Sequence, residues 1–277
     1  MNIKKISSLA VMLCIAAAAF AQGEKTSLYI SKFVNNSKAS EVVCNNVRQE
    51  IISGLTATQR LTIVDANTVG ENFPTGKKEL AAALNEREIP FFLEGIINTV
   101  TTTRKTNSEG KVSYEANVSY SITLIESETA ETKASETYTE TWYSGGTADE
   151  SVAKAVENVS KRMKRFVDNN FKVEAMIVEL KDVDPKKGVK SCYINAGSAD
   201  GLSKGQICEV YGEKTVAGRV IKEKVGEIKI EEVNAEDMST CTVKNGGPAI
   251  KAAFEKGKVT VITRAKKDIL GGLGLGL

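Results

Sequence analysis

The sequence predicts an α+β protein in two parts: an N-terminal α/β sandwich, a mixed sheet with packed helices, followed by a small all-β barrel. Two patterns carry this. Up to residue 171, segments with apolar residues three or four apart alternate with segments of period two, the signatures of helix and half-buried strand. From Lys172 onward the chain breaks into short strands at regular spacing with turn signals between them, the habit of a small closed or partly closed barrel.

The elements follow in order. "SLYISKFV" (27–34) reads as a first strand ending in the turn-prone "NNS", and a helix then runs from about Ser37 to Leu55, with Val43, Val47, Ile51 and Leu55 repeating every four residues. "RLTIVDA" (60–66) is the next strand, and "GKKELAAALNERE" a short helix with Leu80 and Leu84 inward. Pro90 closes that helix before the strand "FFLEGIINTVTTT" (91–103). "VSYEANVSYSITLIE" and "KASETYTETWYS" form a hairpin whose two faces differ in polarity. After Gly145-Gly146, Thr147 and Glu150 make a capping box for a helix carrying Val152, Val156, Val159, Met163 and Phe166 on one stripe. The barrel strands are "VEAMIVEL", "KSCYINA", "QICEVYG", "VGEIKIEEV", "STCTVK" and "KVTVITR", interrupted by the helix "PAIKAAFEK". The domains are then 24–171 and 173–264.

Both ends fall outside these parts. Residues 1–21 have a short basic start (Lys4, Lys5), the apolar run "LAVMLCIAAAAF" and Ala19-Phe20-Ala21, a signal-peptidase pattern, so the chain is expected to be exported with cleavage after Ala21. Cys14 lies within the apolar run rather than at its end, which is the wrong place for a lipidation site. Residues 265–277 make a Gly/Leu-rich tail, expected to be flexible.

Composition excludes several functions. Of 37 basic residues the signal removes Lys4 and Lys5, leaving 35 against 35 acidic, and no basic stripe with exposed aromatics marks a nucleic-acid partner. With no histidine, the commonest general base, the Ser-His-acid triads and most transition-metal sites are lost together. Glu126, Glu128 and Glu131 cluster at a hairpin tip, where solvated charge is the ordinary reading and an acid/base pair the minor one. Cys44, Cys192, Cys208 and Cys241 remain after cleavage. An even count in an exported chain invites a disulfide reading, but each falls on the apolar phase of its segment, which favours small buried thiols. No catalytic, cofactor-binding or metal residue is expected, and no small-molecule substrate is evident.

One stretch resembles a phosphate cradle: "INAGSADGLSKGQICEVYG", with Gly197, Gly201 and Gly205 spaced by four and Lys204 beside the last. A phosphate loop joins a strand to a helix whose amino end faces the anion. Here "SKG" replaces "GK[ST]" and a strand follows, so the run reads as a turn. Asp200-Gly201 is the turn dipeptide, Gly197 and Gly205 allow positive φ, and Leu202 pegs the connection to the core.

The series "SLYISKFVNNS", "VRQEIISGLTATQRLTIVDAN", "IPFFLEGIINTV" and "SYSITLIESETAETKASETY" resembles the curli production assembly/transport component (CsgG-like) family, and the same unit occurs in lipoproteins that activate penicillin-binding proteins. "CYINAGSADGLSKGQICEVY" with "VGEIKIEEVNAEDMSTCTV" resembles the C-terminal barrel of the flagellar assembly protein T family. These resemblances imply a non-enzymatic envelope scaffold or adaptor acting by protein–protein contact in assembly or transport, periplasmic or at the outer membrane. The implied partners are envelope proteins or a second copy, with membrane association only through partners. A curli-type secretion-channel subunit and an activator of cell-wall synthases are the alternatives, and a carboxylate enzyme is ranked last. The chain departs from the curli family in lacking a lipobox and in the polarity of 101–121, which does not alternate apolar residues as a lipid-facing hairpin does.

Overall fold

The computed structural model describes residues 25–69, 73–257 and 259–264. The expected signal segment, the cleavage site and the Gly/Leu tail lie outside the described residues.

The first part is a mixed sheet in the order β3-β1-β4-β5-β6, built from β1 (Thr26–Ile30), β3 (Leu61–Asp65), β4 (Phe91–Thr106), β5 (Val112–Glu126) and β6 (Thr132–Gly145). β1 runs parallel to both β3 and β4, while β4, β5 and β6 form an antiparallel meander. Period-two alternation decides the layers. Leu28 and Ile30 face the core under α1 (Glu41–Thr56), α3 (Ala148–Glu157) and α4 (Val159–Asn170), whereas Tyr29 faces α2 (Lys77–Asn85) on the other side. The β5 hairpin strand buries Val118, Tyr120, Ile122 and Leu124. Its opposite face is a hydroxyl ladder, in which Ser121 bonds Thr137 at 2.8 Å and Thr123 bonds Ser135 at 3.2 Å.

Three expectations are corrected here. The strand over 27–34 stops at Ile30, and Val34–Asn35 form a separate short strand, β2, parallel to β4. The helix expected from Ser37 starts at Glu41. The Asn35 side chain takes the Ser37 amide at 3.0 Å and Ser37 takes the Ala39 amide at 3.1 Å, a local turn that delays the helix until Ser40 caps it. The helix after the capping box is two helices. Asn158 donates its side-chain amide to the Lys154 carbonyl at 2.8 Å and its N–H bonds Ala155 rather than Lys154, which breaks the ladder while Val156, Val159, Met163 and Phe166 all stay buried.

The second part is the expected barrel, closed and antiparallel, in the order β10-β11-β8-β7-β12-β9. Its strands are β7 (Glu174–Asp184), β8 (Gly188–Ile194), β9 (Ile207–Val216), β10 (Arg219–Val233), β11 (Ser239–Asn245) and β12 (Thr260–Thr263), with α5 (Gly247–Lys256) before the last. Its own apolar core contains Ile177, Ile194, Leu202, Val210, Ile228, Ile230 and Val261. The α+β class and both layers of the expectation are therefore observed.

Candidate functional site

The glycine run is the joint between the two parts. Gly201 sits at φ +66 and Gly205 at φ +88, as a turn requires, and Leu202 is buried in the barrel core. Gly197 differs from expectation: its φ is not positive, and its need is closeness, because a Cβ there would collide with the Ala235 carbonyl. At Gly201 a Cβ would strike the Thr58 carbonyl of the first part.

What faces this loop is a cation. Arg60, buried just before β3, donates to the Asp168 carboxylate of α4 at 2.7 Å and, more loosely, to the carbonyls of Asp200 and Gly201 at 3.3 and 3.4 Å. A phosphate cradle presents N–H groups; this loop presents carbonyls to a guanidinium, the opposite polarity. Lys204 points elsewhere, to Glu231 on the barrel surface at 3.4 Å.

The other singled-out residues do not converge. Glu126, Glu128 and Glu131 surround the β5–β6 turn, where Glu126 accepts the Thr129 hydroxyl at 2.9 Å and Glu128 and Glu131 are exposed. The four thiols are free and buried. Cys44 lies in the sheet core beside Ser37, and the rest lie in the barrel. Burial raises the Cys208 thiol to about 12, far from the range of a nucleophile at neutral pH. Among the described residues no group of three or more acidic or thiol side chains is placed to hold a metal, and no helix is long and apolar enough to cross a membrane.

Besides Arg60–Asp168, two ion pairs with a buried member escaped the sequence reading. Arg48, 2% exposed, donates to the carbonyls of Ile30 and Ser31 at 3.0 Å each and to the Asp65 carboxylate. Burial alone would raise Asp65. The Arg48 hydrogen bonds and the Asn67 amide outweigh it and hold the carboxyl below its ordinary value. Glu140 of β6 is equally buried and takes the Arg162 guanidinium of α4 at 2.8 Å. The signal for Arg48 was available: it shares the Cys44, Ile51 and Leu55 stripe of α1, and an arginine on a buried stripe demands a carboxylate.

The surface carries three further features. Between α1 and α3, over β4, runs a groove of about 760 Å³ floored by Val43, Val100, Val152 and Val156 and rimmed by Lys38, Glu50, Asp149 and Glu157. From the barrel, β9 and β10 continue past the expected strands as a paired arm ending in the two-residue turn Ala217-Gly218, both at positive φ. The arm exposes Val216, Val220 and Ile221 by 46, 63 and 46%. On β6, Trp142 is 70% exposed at a bulge opposite Ala116–Asn117 and holds φ +69.

No protein-family model matches the chain, and no curated protein matches it. Among solved structures it is similar in part to a point variant of the PelC dodecamer from Paraburkholderia phytofirmans, with 14% identity, TM-score 0.34, and 50% of this chain and 84% of that one covered. It is similar to lipoprotein GNA1162 from Neisseria meningitidis, with 10% identity, TM-score 0.36, and 50% and 98% covered. The LpoB C-terminal domain from Salmonella enterica matches with 11% identity, TM-score 0.29, and 42% and 82% covered.

Proposed function

We propose that this chain is a non-enzymatic, exported cell-envelope scaffold or adaptor that works by protein–protein contact in the assembly or transport of envelope components. The arm carries the proposal. Its two strands pair with each other from Gly212–Val216 to Arg219–Glu223, yet its tip lifts three aliphatic side chains into solvent, where they serve no core of their own. The register puts Val216 and Ile221 on one face of the arm and Val220 on the other, so both faces present exposed apolar side chains among charged ones, which marks a contact surface.

The occupant we assign to the groove is the arm of a second copy. The groove rim has Glu50, Asp149 and Glu157 against Lys38, whereas the arm has Lys214, Arg219 and Lys222 against Glu213 and Glu223. An acidic, apolar-floored groove and a basic, apolar-tipped arm are complementary in both charge and hydropathy. Because one copy presents both, each copy offers one arm and one groove to its neighbours.

The scaffold reading stands ahead of a curli-type channel subunit because the tip of the β4–β5 hairpin exposes Thr101, Thr102, Thr103, Arg104, Lys105 and Thr106, side chains a lipid face disfavours. Analytical ultracentrifugation of the mature chain tests the proposal: concentration-dependent association that weakens in V216S/V220S/I221S is expected. A monomer at every concentration would sink it.

A further inference from the structure

We propose that Cys192 and Cys241 are joined by a cross-strand disulfide in the exported protein. The proposal rests on the export reading, since an oxidising compartment is what forms and retains such a bond.

The register makes the case. Cys192 on β8 and Cys241 on β11 stand directly opposite each other in an antiparallel pair, flanked by Tyr193 opposite Thr240 and Ser191 opposite Thr242. Directly opposed residues of antiparallel strands have Cα atoms about 4.5–5.5 Å apart, inside the roughly 4.4–6.8 Å that a disulfide spans. Both side chains point into the barrel and are fully buried in the same apolar cluster. The neighbouring Cys192 thiol and burial together hold the Cys241 thiol above its ordinary range, so its sulfur is protonated and uncharged in the closed barrel.

The other two thiols lack this arrangement. Cys208 on β9 faces Ile228 on one neighbouring strand and Thr263 on the other. Cys44 belongs to the sheet core. Among the described residues, one pair alone has cysteine opposite cysteine in register.

The chemistry is thiol–disulfide exchange with a disulfide-bearing donor, either an oxidised dithiol protein or oxidised glutathione. One cysteine thiolate attacks the donor S–S bond, forming a mixed disulfide and releasing one donor thiolate. The second cysteine thiolate then attacks the mixed bond at the protein sulfur, which forms the Cys192–Cys241 bond and releases the other donor thiolate. The two cysteine protons end on the two donor sulfurs, and two electrons pass to the donor. Full burial in the closed barrel bars such attack, so the exchange precedes barrel closure. Once the barrel closes, the same burial shields the bond from reductant. The bond closes a loop of about 50 residues containing β9 and β10, long enough for substantial restriction of the unfolded chain.

The test refolds the full mature chain, residues 22–277, from denaturant in a glutathione redox buffer and in excess reductant, then alkylates free thiols under denaturing conditions. Oxidative refolding should leave two alkylated cysteines rather than four, yield a linked peptide pair containing Cys192 and Cys241, and raise the unfolding midpoint by about 5–10 °C. The C208A variant should form the same bond. Four alkylated cysteines after oxidative refolding, or a linkage through Cys208 or Cys44, would overturn the proposal. The same alkylation on protein recovered from the envelope fraction separates the two layers of the claim. A chain that pairs in glutathione but is recovered fully reduced from cells overturns the export reading instead.

Discussion

Replacing Arg60 by methionine tests the joint between the sheet and the barrel. The substitution keeps the apolar stem but removes the guanidinium, and with it the 2.7 Å contact to Asp168 and the two longer bonds to the Asp200 and Gly201 carbonyls. Breaking a fully buried ion pair costs about 3–5 kcal/mol, mostly because one charge is left uncompensated. The Asp168 side chain is 15% exposed and can recover some water, which brings the expected loss to about 2–3 kcal/mol. The carbonyl bonds add little, since both are near the limit of hydrogen-bond distance. Urea unfolding, with hydrogen exchange at residues 57–61 and 197–205 as the local readout, should show that loss together with faster exchange on both sides of the joint. The matched control is Lys204→Ala, whose 3.4 Å pair with Glu231 is solvent-exposed and should change stability by no more than about 0.5 kcal/mol. If R60M falls in the same range as K204A, the clamp has no energetic role.

Other outcomes follow from the same geometry. Gly201→Ala should destabilise more than Gly205→Ala: both pay for positive φ, about 1 kcal/mol, but the Cβ at 201 meets the Thr58 carbonyl while at 205 nothing lies closer than 4.0 Å. Thermal unfolding of the two variants decides the order. Gly54→Ala should cost about 1–3 kcal/mol, because its Cβ would sit 2.8 Å from the Ser160 Cα and 2.9 Å from the Met163 Cβ at the α1–α4 crossing; an unchanged midpoint would contradict the close packing. Trp142→Gly should leave stability unchanged or raise it by up to about 1 kcal/mol, since it relieves a left-handed backbone and gives up little burial. A clear loss in denaturant titration would show that the indole is packed after all. The Asp65 carboxyl is depressed in the folded state, so its contribution is present above its unfolded value and is lost as pH falls through the lower folded value. Wild type should therefore lose stability on acidification through the carboxylate range more steeply than Asp65→Asn, and parallel pH–stability curves for the two would refute the assignment.

Where local pattern decided the outcome, the chain was legible. β5 spans Val112–Glu126, as its alternation indicated, and the six barrel strands and their helix occur in the order their turn signals suggested. The departures have local physical causes: side-chain hydrogen bonds at Asn35, Ser37 and Asn158 compete with backbone ladders in a way that apolar spacing cannot register. The arm was missed because "EKTVAGRVIKEK" buries neither face, so it lacks the one-sided alternation by which strands are found, although Ala217-Gly218 supplied a turn signal. Arg60 was hidden for a different reason. Its partners are more than 100 positions away, and only the packing of two separately patterned parts brings them together.

The central claim is that this chain acts by contact, arm into groove, between copies. A charge-swap experiment by sedimentation equilibrium tests it directly, using K214E/K222E on the arm and E50K/D149K in the groove. Each variant alone should dissociate relative to wild type, and an equimolar mixture should recover association through the restored pairing of unlike charges. Association of wild type that neither substitution weakens, or a mixture that stays as dissociated as its components, would contradict it.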